Sequence, residues 1–386
     1  MSSAPTNTMA AANPTLSRAK SAEAARAAKR IRVMVVDDSE LMRRRICDAL
    51  AQQPDLDVVA VASDGVEALE LLDECRPDLI TLDLLMPRLG GLETLDEVLR
   101  RRPTPVIVFS SLTQRAAQAT WDALDRGAID YVSKPEGVAQ SRQVLECELP
   151  QKIRNMAGAN IELVLKYRKL RGTTKRPSAG SVDVTSPRDL PALAQSCIAI
   201  GISTGGPPAL SHLFAELKKP LPPLVVVQHM PAMFTGPFAE RLKSLGGVAV
   251  REARDGEPLR PNTALVAPGG KHLKLRRQGA EVVAQVFDAD PVSGHRPSVD
   301  VLMASAAACY GPRCLGVIMT GMGRDGADGC RAIRAAGGYV LGQDEASSDV
   351  YGMNKVAFVE GGVDRQVSLA QLADQIETNV RRIANN

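Results

Sequence analysis

The sequence predicts two doubly wound α/β domains, each built on a mainly parallel sheet, joined by a linker. Three observations carry this assignment. From Arg32 onward, short apolar runs alternate with amphipathic helical segments, the pattern of a parallel sheet with helices on both faces. The alternation decays after about Glu146 into a basic, Pro/Ser/Gly-containing stretch and resumes near Ala194. The 386 residues, 45% of them hydrophobic, exceed one ordinary domain and suffice for two cores.

The implied division is a disordered tail over 1–30, a first domain over 31–150, a linker over 151–191 and a second domain over 192–380. The tail is rich in Ala, Ser, Lys and Arg and has no strand pattern. A formal net charge of +3 is small for this length, so nothing in the balance calls for nucleic acid or a membrane. The seven cysteines include no C-x-x-C pair and read as free thiols of a reducing compartment. No run approaches the roughly 20 apolar residues that cross a bilayer, and no signal-peptide order opens the chain. The expected location is the cytoplasm.

In the first domain, strands are expected at Arg32 to Val36, Leu56 to Ala62, Leu79 to Leu82, Val106 to Phe109 and Tyr131 to Val132. Ligand sites of such sheets lie outside the carboxyl ends of the strands. The residues arriving there are Asp37 and Asp38, then Asp83, Ser110 and Lys134. Three carboxylates gathered at one edge repel unless a hard cation sits among them, and Mg²⁺ suits an oxygen ligand set of Asp37, Asp38 and Asp83. Asp83 would then be a phosphoryl acceptor, with Lys134 and the metal offsetting charge and Ser110 donating a hydrogen bond. Any one of these acidic residues could instead cap a helix.

The segments Val35-Val36-Asp37-Asp38-Ser39, Leu82-Asp83-Leu84-Leu85-Met86-Pro87, Ser110-Ser111 and Lys134-Pro135 resemble the receiver domain of two-component response regulators. The resemblance implies a flavodoxin-like fold and phosphorylation of Asp83 by a histidine kinase. It also implies a two-state switch shared by Ser110 and Tyr131. The pattern departs from the family at Leu85 and Gly90, where acidic residues are common.

Of the linker, Leu149 to Leu170 could carry helix, and Arg171 to Pro191 has linker composition. Its Lys and Arg residues read as a solvated face more readily than as a nucleic-acid arm. In the second domain, strands are expected at Cys197 to Ile200, Leu224 to Val227, Val248 to Arg251, Ala264 to Val266, Leu315 to Thr320 and Tyr339 to Leu341. The first of them is expected to break at Gly201. A hairpin is expected between Lys271 and Phe287, turning near Gln278-Gly279-Ala280. No helix-turn-helix pattern with a basic recognition helix is visible, which counts against a DNA-binding output.

Gly201-Ile202-Ser203-Thr204-Gly205 matches the G-x-S-x-G pattern of a nucleophile elbow, yet a phosphate cradle or a plain structural turn fits it as well. A serine nucleophile needs a base, and the histidines are His212, His229, His272 and His295. Only His229 directly follows a buried-type strand. His212 lies more than two helical turns from Ser203 and points away. Asp325, after the strand ending at Thr320, reaches the same edge and would orient the imidazole, unless it caps the next helix. Backbone N–H groups of Met322 and Gly323 are candidates for an oxyanion hole. Lys271, Arg296 and Arg324 form a candidate basic patch for an acidic segment, although Lys271 reads more simply as surface.

Gly201-Ile202-Ser203-Thr204-Gly205-Gly206, Gln228-His229-Met230-Pro231, Ala267-Pro268-Gly269-Gly270-Lys271-His272-Leu273, His295-Arg296-Pro297-Ser298-Val299-Asp300 and Thr320-Gly321-Met322-Gly323-Arg324-Asp325-Gly326 look like the catalytic domain of the chemotaxis protein-glutamate methylesterases. That resemblance implies a Rossmann-like serine hydrolase whose catalytic positions fall on Ser203, His229 and Asp325. Implied too are demethylation of glutamate methyl esters on chemoreceptors with release of methanol, and deamidation of certain receptor glutamines. The implied partners are a chemotaxis histidine kinase and methyl-accepting receptors, with membrane arrays reached only through protein contacts and nucleic acid playing no part. No cofactor is expected in the catalytic domain. A rival from another class is an adaptor that binds through the Gly-rich edge without chemistry.

Overall fold

A computed structural model describes residues 30–111, 113–135, 137, 141–157 and 193–384. The expected tail and most of the expected linker lie outside the described residues. Two parallel sheets with flanking helices make up the chain, the fold class that the sequence predicts.

The first sheet contains β1 (Ile31–Val36), β2 (Leu56–Ala62), β3 (Leu79–Leu82), β4 (Val106–Ser110) and β5 (Asp130–Ser133), in the order β2-β1-β3-β4-β5. Every pairing is parallel. β3 and β4 are buried on both faces, which is why they read as continuous apolar runs. The strand order reverses between β1 and β3, so Asp37 and Asp83 arrive side by side at that crevice.

After β5 a π-helical turn, Gln143–Glu148, leads into the helix Leu149–Met156. This helix is fastened to the first sheet. Lys152 Nζ donates to the Tyr131 carbonyl at 2.6 Å and lies 3.2 Å from the Asp130 carboxylate. Arg154 grips the Asp55 carboxylate with two hydrogen bonds of 2.7 and 2.8 Å.

The second sheet contains β6 (Cys197–Ile202), β7 (Leu224–Gln228), β8 (Ala249–Glu252), β9 (Thr263–Val266), β12 (Cys314–Ile318), β13 (Tyr339–Gln343) and β14 (Arg365–Val367). Their order is β14-β13-β12-β6-β7-β9-β8, again all parallel. β10 (His272–Gln278) and β11 (Glu281–Phe287) form the expected antiparallel hairpin, with Gln278 opposite Glu281 across the turn. The strand order reverses between β6 and β12. The residues following these two strands therefore line the crevice where an α/β site forms.

β6 does not break at Gly201 but continues to Ile202. A Cβ on Gly201 would stand 2.1 Å from Val299 Cγ1, so the glycine serves close approach of the helix Val299–Tyr310 to the strand. The left-handed turn comes later, at Gly205 with φ 72°.

The two halves meet through aromatic rings. Trp121, on the helix Gln114–Arg126, stacks on Phe238 with centroids 5.0 Å apart, and Tyr131 of β5 stacks on Phe234 at 4.9 Å. Phe234 and Phe238 belong to the helix Ala232–Ser244, and all four rings are buried. Arg241 on that helix pairs with Asp125 at the rim. One helix therefore presents His229 at its entry and the interdomain contact along its length.

Candidate active site and phosphorylation site

Ser203 leaves the carboxyl end of β6 half-buried. Its backbone is held on three sides. Its N–H donates to the Thr320 carbonyl at 3.0 Å, and its carbonyl accepts from Gly206 N at 2.8 Å and from Gln228 Nε2 at 2.9 Å. The same Gln228 amide donates to the His229 carbonyl at 3.1 Å, so one buried side chain ties the serine turn to the histidine turn.

His229 Nε2 lies 2.8 Å from Asp325 Oδ2. An ionised carboxylate only accepts, which assigns the proton to Nε2 and the lone pair to Nδ1. His229 Nδ1 is buried and has no hydrogen-bond partner. The ring thus faces its carboxylate through the opposite nitrogen from the serine-protease arrangement, leaving Nδ1 as the basic atom.

Asp325 is fully buried. It accepts from Ser298 Oγ at 2.8 Å, Val299 N at 2.7 Å and Asp300 N at 3.1 Å. Burial works against its charge, but the His229 hydrogen bond and charge and these backbone donors outweigh it and hold its pKa down at about 2. The expected alternative, a helix cap, falls to another residue: Asp300 Oδ1 accepts from Gly326 N and Gly329 N at 2.9 and 2.8 Å. Asp300 and Ser298 are parts of the site that spacing did not reveal. Both stand in the segment His295-Arg296-Pro297-Ser298-Val299-Asp300 that carries the family resemblance, which gave neither of them a role.

Beside the serine, a Cβ on Gly321 would stand 2.8 Å from Ser203 Cβ. Gly323 is left-handed at φ 92°. Among the described residues, the Met322 and Gly323 N–H groups donate to no backbone carbonyl. Met322 Sδ accepts a hydrogen bond from Asn155 Nδ2 at 3.2 Å, which brings the helix Leu149–Met156 onto this loop.

The remaining histidines divide as follows. His272 is buried on β10 with Nε2 3.0 Å from the Asp290 carbonyl, a structural role. His295, which follows no strand, lies face to face with His229. Of the basic residues, Arg324 bridges Asp328 and Glu360, while Lys271 and Arg296 flank Asp288 at 3.9 Å.

At the edge of the first sheet, Lys134 Nζ lies 2.7 Å from both Asp37 Oδ2 and Asp83 Oδ2. Burial, joined by the nearby Asp83 charge, raises the Asp37 pKa despite the opposing effect of Lys134. Burial also opposes charge on Lys134, but Asp83 and Asp37 outweigh it and raise that pKa. Carboxylate oxygens of Asp37, Asp38 and Asp83 lie within 4.8 Å of one another. Asp37 Oδ2 is buried 2.7 Å from Lys134 Nζ, with no hydrogen bond of good geometry. An all-oxygen set with a spare buried acceptor fits Mg²⁺. Ser110 turns elsewhere: its buried hydroxyl accepts from Thr120 Oγ1 at 2.7 Å and points to the Ala116 carbonyl.

Family comparisons follow the same division. Residues 33–146 match the response regulator receiver domain, and 198–376 match CheB methylesterase. The chain is 43% identical over 352 residues to protein-glutamate methylesterase/protein-glutamine glutaminase 4 of Anaeromyxobacter dehalogenans, covering 91% of this chain and 96% of that one. It is 40% identical over 349 residues to the protein of that name from Nitrosomonas europaea, covering 90% and 96%. The CheB methylesterase catalytic domain of Thermotoga maritima is 36% identical, covering 48% of this chain and 98% of that one with a TM-score of 0.47. With its receiver, its hydrolase sheet and full-length relatives at this identity, the chain belongs to the protein-glutamate methylesterase/protein-glutamine glutaminase family.

Proposed function

We propose that the chain is a phosphorylation-activated serine hydrolase that demethylates glutamate methyl esters and deamidates glutamines of chemoreceptors, with Ser203 as nucleophile, His229 as base and Asp325 as its orienting carboxylate. The observation that carries this reading is the 2.8 Å bond from His229 Nε2 to a buried, ionised Asp325, with Nδ1 unpartnered and with His229 and Ser203 each following directly on the paired ends of β7 and β6, Gln228 and Ile202.

Ser203 Oγ attacks the ester carbonyl and gives its proton to His229 Nδ1. The imidazolium forms against Asp325 and passes the proton to the leaving methoxide, releasing methanol. Water then attacks the glutamyl ester, again deprotonated by Nδ1, and the carboxylate leaves as Ser203 recovers its proton. With a glutamine substrate the leaving group is ammonia. Met322 and Gly323 N–H groups would stabilise the tetrahedral oxygen. These steps use only side chains and backbone, and no cofactor enters them.

In the receiver, Asp37, Asp38 and Asp83 would hold Mg²⁺, which neutralises charge on the transferred phosphoryl oxygens when bound. Asp83 accepts the phosphoryl group from a histidine kinase, and Lys134 is the adjacent counter-charge. The Trp121 and Tyr131 contacts with the helix after His229, and the Asn155 contact with Met322, support a receiver that restrains the catalytic edge until phosphorylation. The domain assignment follows: receiver over 31–150, linker over 151–191, hydrolase over 192–380. No helix among the described residues is long and apolar enough to cross a membrane, so receptors would be reached through protein contacts.

The test is methanol release from methylated receptor membranes, with and without Mg²⁺ and a small phosphodonor. Ser203→Ala should abolish release; retained turnover would mean another nucleophile.

A further inference from the structure

His229 and His295 lie face to face, ring centroids 3.8 Å apart and planes inclined by only 7°. The chain builds this contact deliberately from a rigid turn. Val292 and His295 exchange two backbone hydrogen bonds, of 3.1 and 3.0 Å, across Ser293 and Gly294. Those two residues are left-handed at φ 53° and 80°, as a primed two-residue turn requires. Ser293 Oγ donates to Asp300 Oδ2 at 2.9 Å, and the Ser293 carbonyl lies 2.9 Å from His295 Nδ1. A carbonyl only accepts, so that hydrogen bond places a proton on His295 Nδ1 and fixes the ring's orientation. Arg296 steadies the other side, its Nη1 donating to the Ala289 carbonyl at 2.8 Å. Two residues further, Ser298 and Val299 hold Asp325. One short segment therefore sets both the plane above His229 and the carboxylate at its edge.

His229 needs this. Its side chain has a single hydrogen bond, at Nε2, and χ2 of histidine is a soft torsion. A ring pinned at one atom can swing Nδ1 out of line with Ser203 unless a surface blocks it. The same surface meets the charge: when His229 takes the serine proton, the cation lies over the π face of its neighbour. Burial, and then the nearness of His229, push the His295 pKa down and favour the neutral ring that such a contact requires.

Resting on the assignment of Ser203, His229 and Asp325, we infer that His295 is a positioning residue of the hydrolase, a stacking plate that fixes the plane of His229 and lodges its transient charge. It takes no proton in the reaction and touches no substrate atom.

The test uses the full-length protein, phosphodonor and Mg²⁺, with methylated receptor membranes as substrate. His295→Ala should lower kcat about 3- to 30-fold, the range of a partly desolvated cation–π contact, and leave KM nearly unchanged. His295→Phe restores a stacking face without ring nitrogens and should recover most of kcat; His295→Lys should be at least as poor as Ala. Wild-type kcat in His295→Ala would overturn the inference. So would a Phe variant as slow as Ala while folded by circular dichroism, since that would make the nitrogens essential, or a defect confined to KM. Ser203→Ala, assayed alongside, separates the two levels: its retained turnover would sink the triad, whereas the ranking of the His295 variants judges the plate alone.

Discussion

Tyr131 of the receiver stacks on Phe234 of the hydrolase, ring centroids 4.9 Å apart and planes inclined by 26°. Tyr131 stands three residues before Lys134, which pairs with Asp83, and Phe234 stands five residues after His229. Each ring is thus within a few residues of a functional centre.

Weakening that contact away from both centres should raise activity in the absence of phosphorylation. Trp121 suits the purpose, being buried against Phe238 on the far side of the cluster. Trp121→Ala removes an anchor of the kind worth about 2 kcal/mol or more at an interface, which shifts the closed-to-open balance about thirtyfold. Basal methanol release should rise severalfold and the stimulation by phosphodonor should shrink. An unchanged basal rate in a folded variant would remove the interface from the regulatory mechanism.

Stimulation, by contrast, should depend on the acidic crevice. Asp83→Ala removes the acceptor, and chelating Mg²⁺ removes the counter-charge that three close carboxylates need. Both should leave basal methanol release near its starting value and abolish its response to phosphodonor. Lys134→Ala should also abolish the response and lower stability, because it leaves the buried Asp37 and Asp83 without their cation. A phosphodonor response that survives Asp83→Ala would place the acceptor elsewhere.

Asp325 ties activity to acid stability. Its folded pKa is depressed to about 2 from a usual value of 3.8. A depressed carboxyl contributes stability that is fully present above the unfolded pKa and is lost as pH falls through 4 toward 2. The contribution amounts to about 2 kcal/mol at neutral pH. Asp325→Asn should therefore cost most stability above pH 5, and the gap from wild type in urea unfolding should narrow toward pH 2. Asp300, whose pKa is raised by burial and then by the neighbouring Asp325 charge, works in the opposite direction; the Asn variant removes the second cause, which trims the gap above pH 5. A gap that is constant across this range would contradict the ionised, hydrogen-bonded Asp325. Its activity should fall, though by less than in Ser203→Ala, since orientation is one contribution among several.

Much of this was legible because parallel strands buried on both faces read as apolar runs, and because α/β sites form where such runs end. That logic brought Asp37, Asp83, Ser203, His229 and Asp325 to their edges by residue number alone. It passed over β14, Arg365–Val367, which is three residues long and largely polar, and the helix Met353–Val359, which has no side-chain cap. It also passed over His295, which stacks on a residue 66 positions earlier and follows a turn instead of a strand. The aromatic seam between domains was hidden for a similar reason: Trp121 and Phe238 are 117 positions apart, and nothing near either in sequence announces the other. Local pattern reports what a segment buries, not which distant segment covers it.

Gly201 was misread for a physical reason that yields a test of its own. A glycine in a strand suggests an ending, yet here β6 continues and the missing side chain makes room for Val299, 2.1 Å from where a Cβ would be. Val299 N donates to Asp325 Oδ2, and Asp325 orients His229. Gly201→Ala touches no reacting atom, but it must push the start of the helix Val299–Tyr310 away from the sheet. Overpacking of this kind typically costs about 1–3 kcal/mol. It should also loosen the carboxylate, so kcat should fall by more than KM rises, and the thermal midpoint should drop. The second variant Gly201→Ala with Val299→Ala returns the space and should recover both. If the single variant kept full kcat despite its lowered midpoint, the packing of Val299 on β6 would be a matter of stability alone, without bearing on the orientation of Asp325.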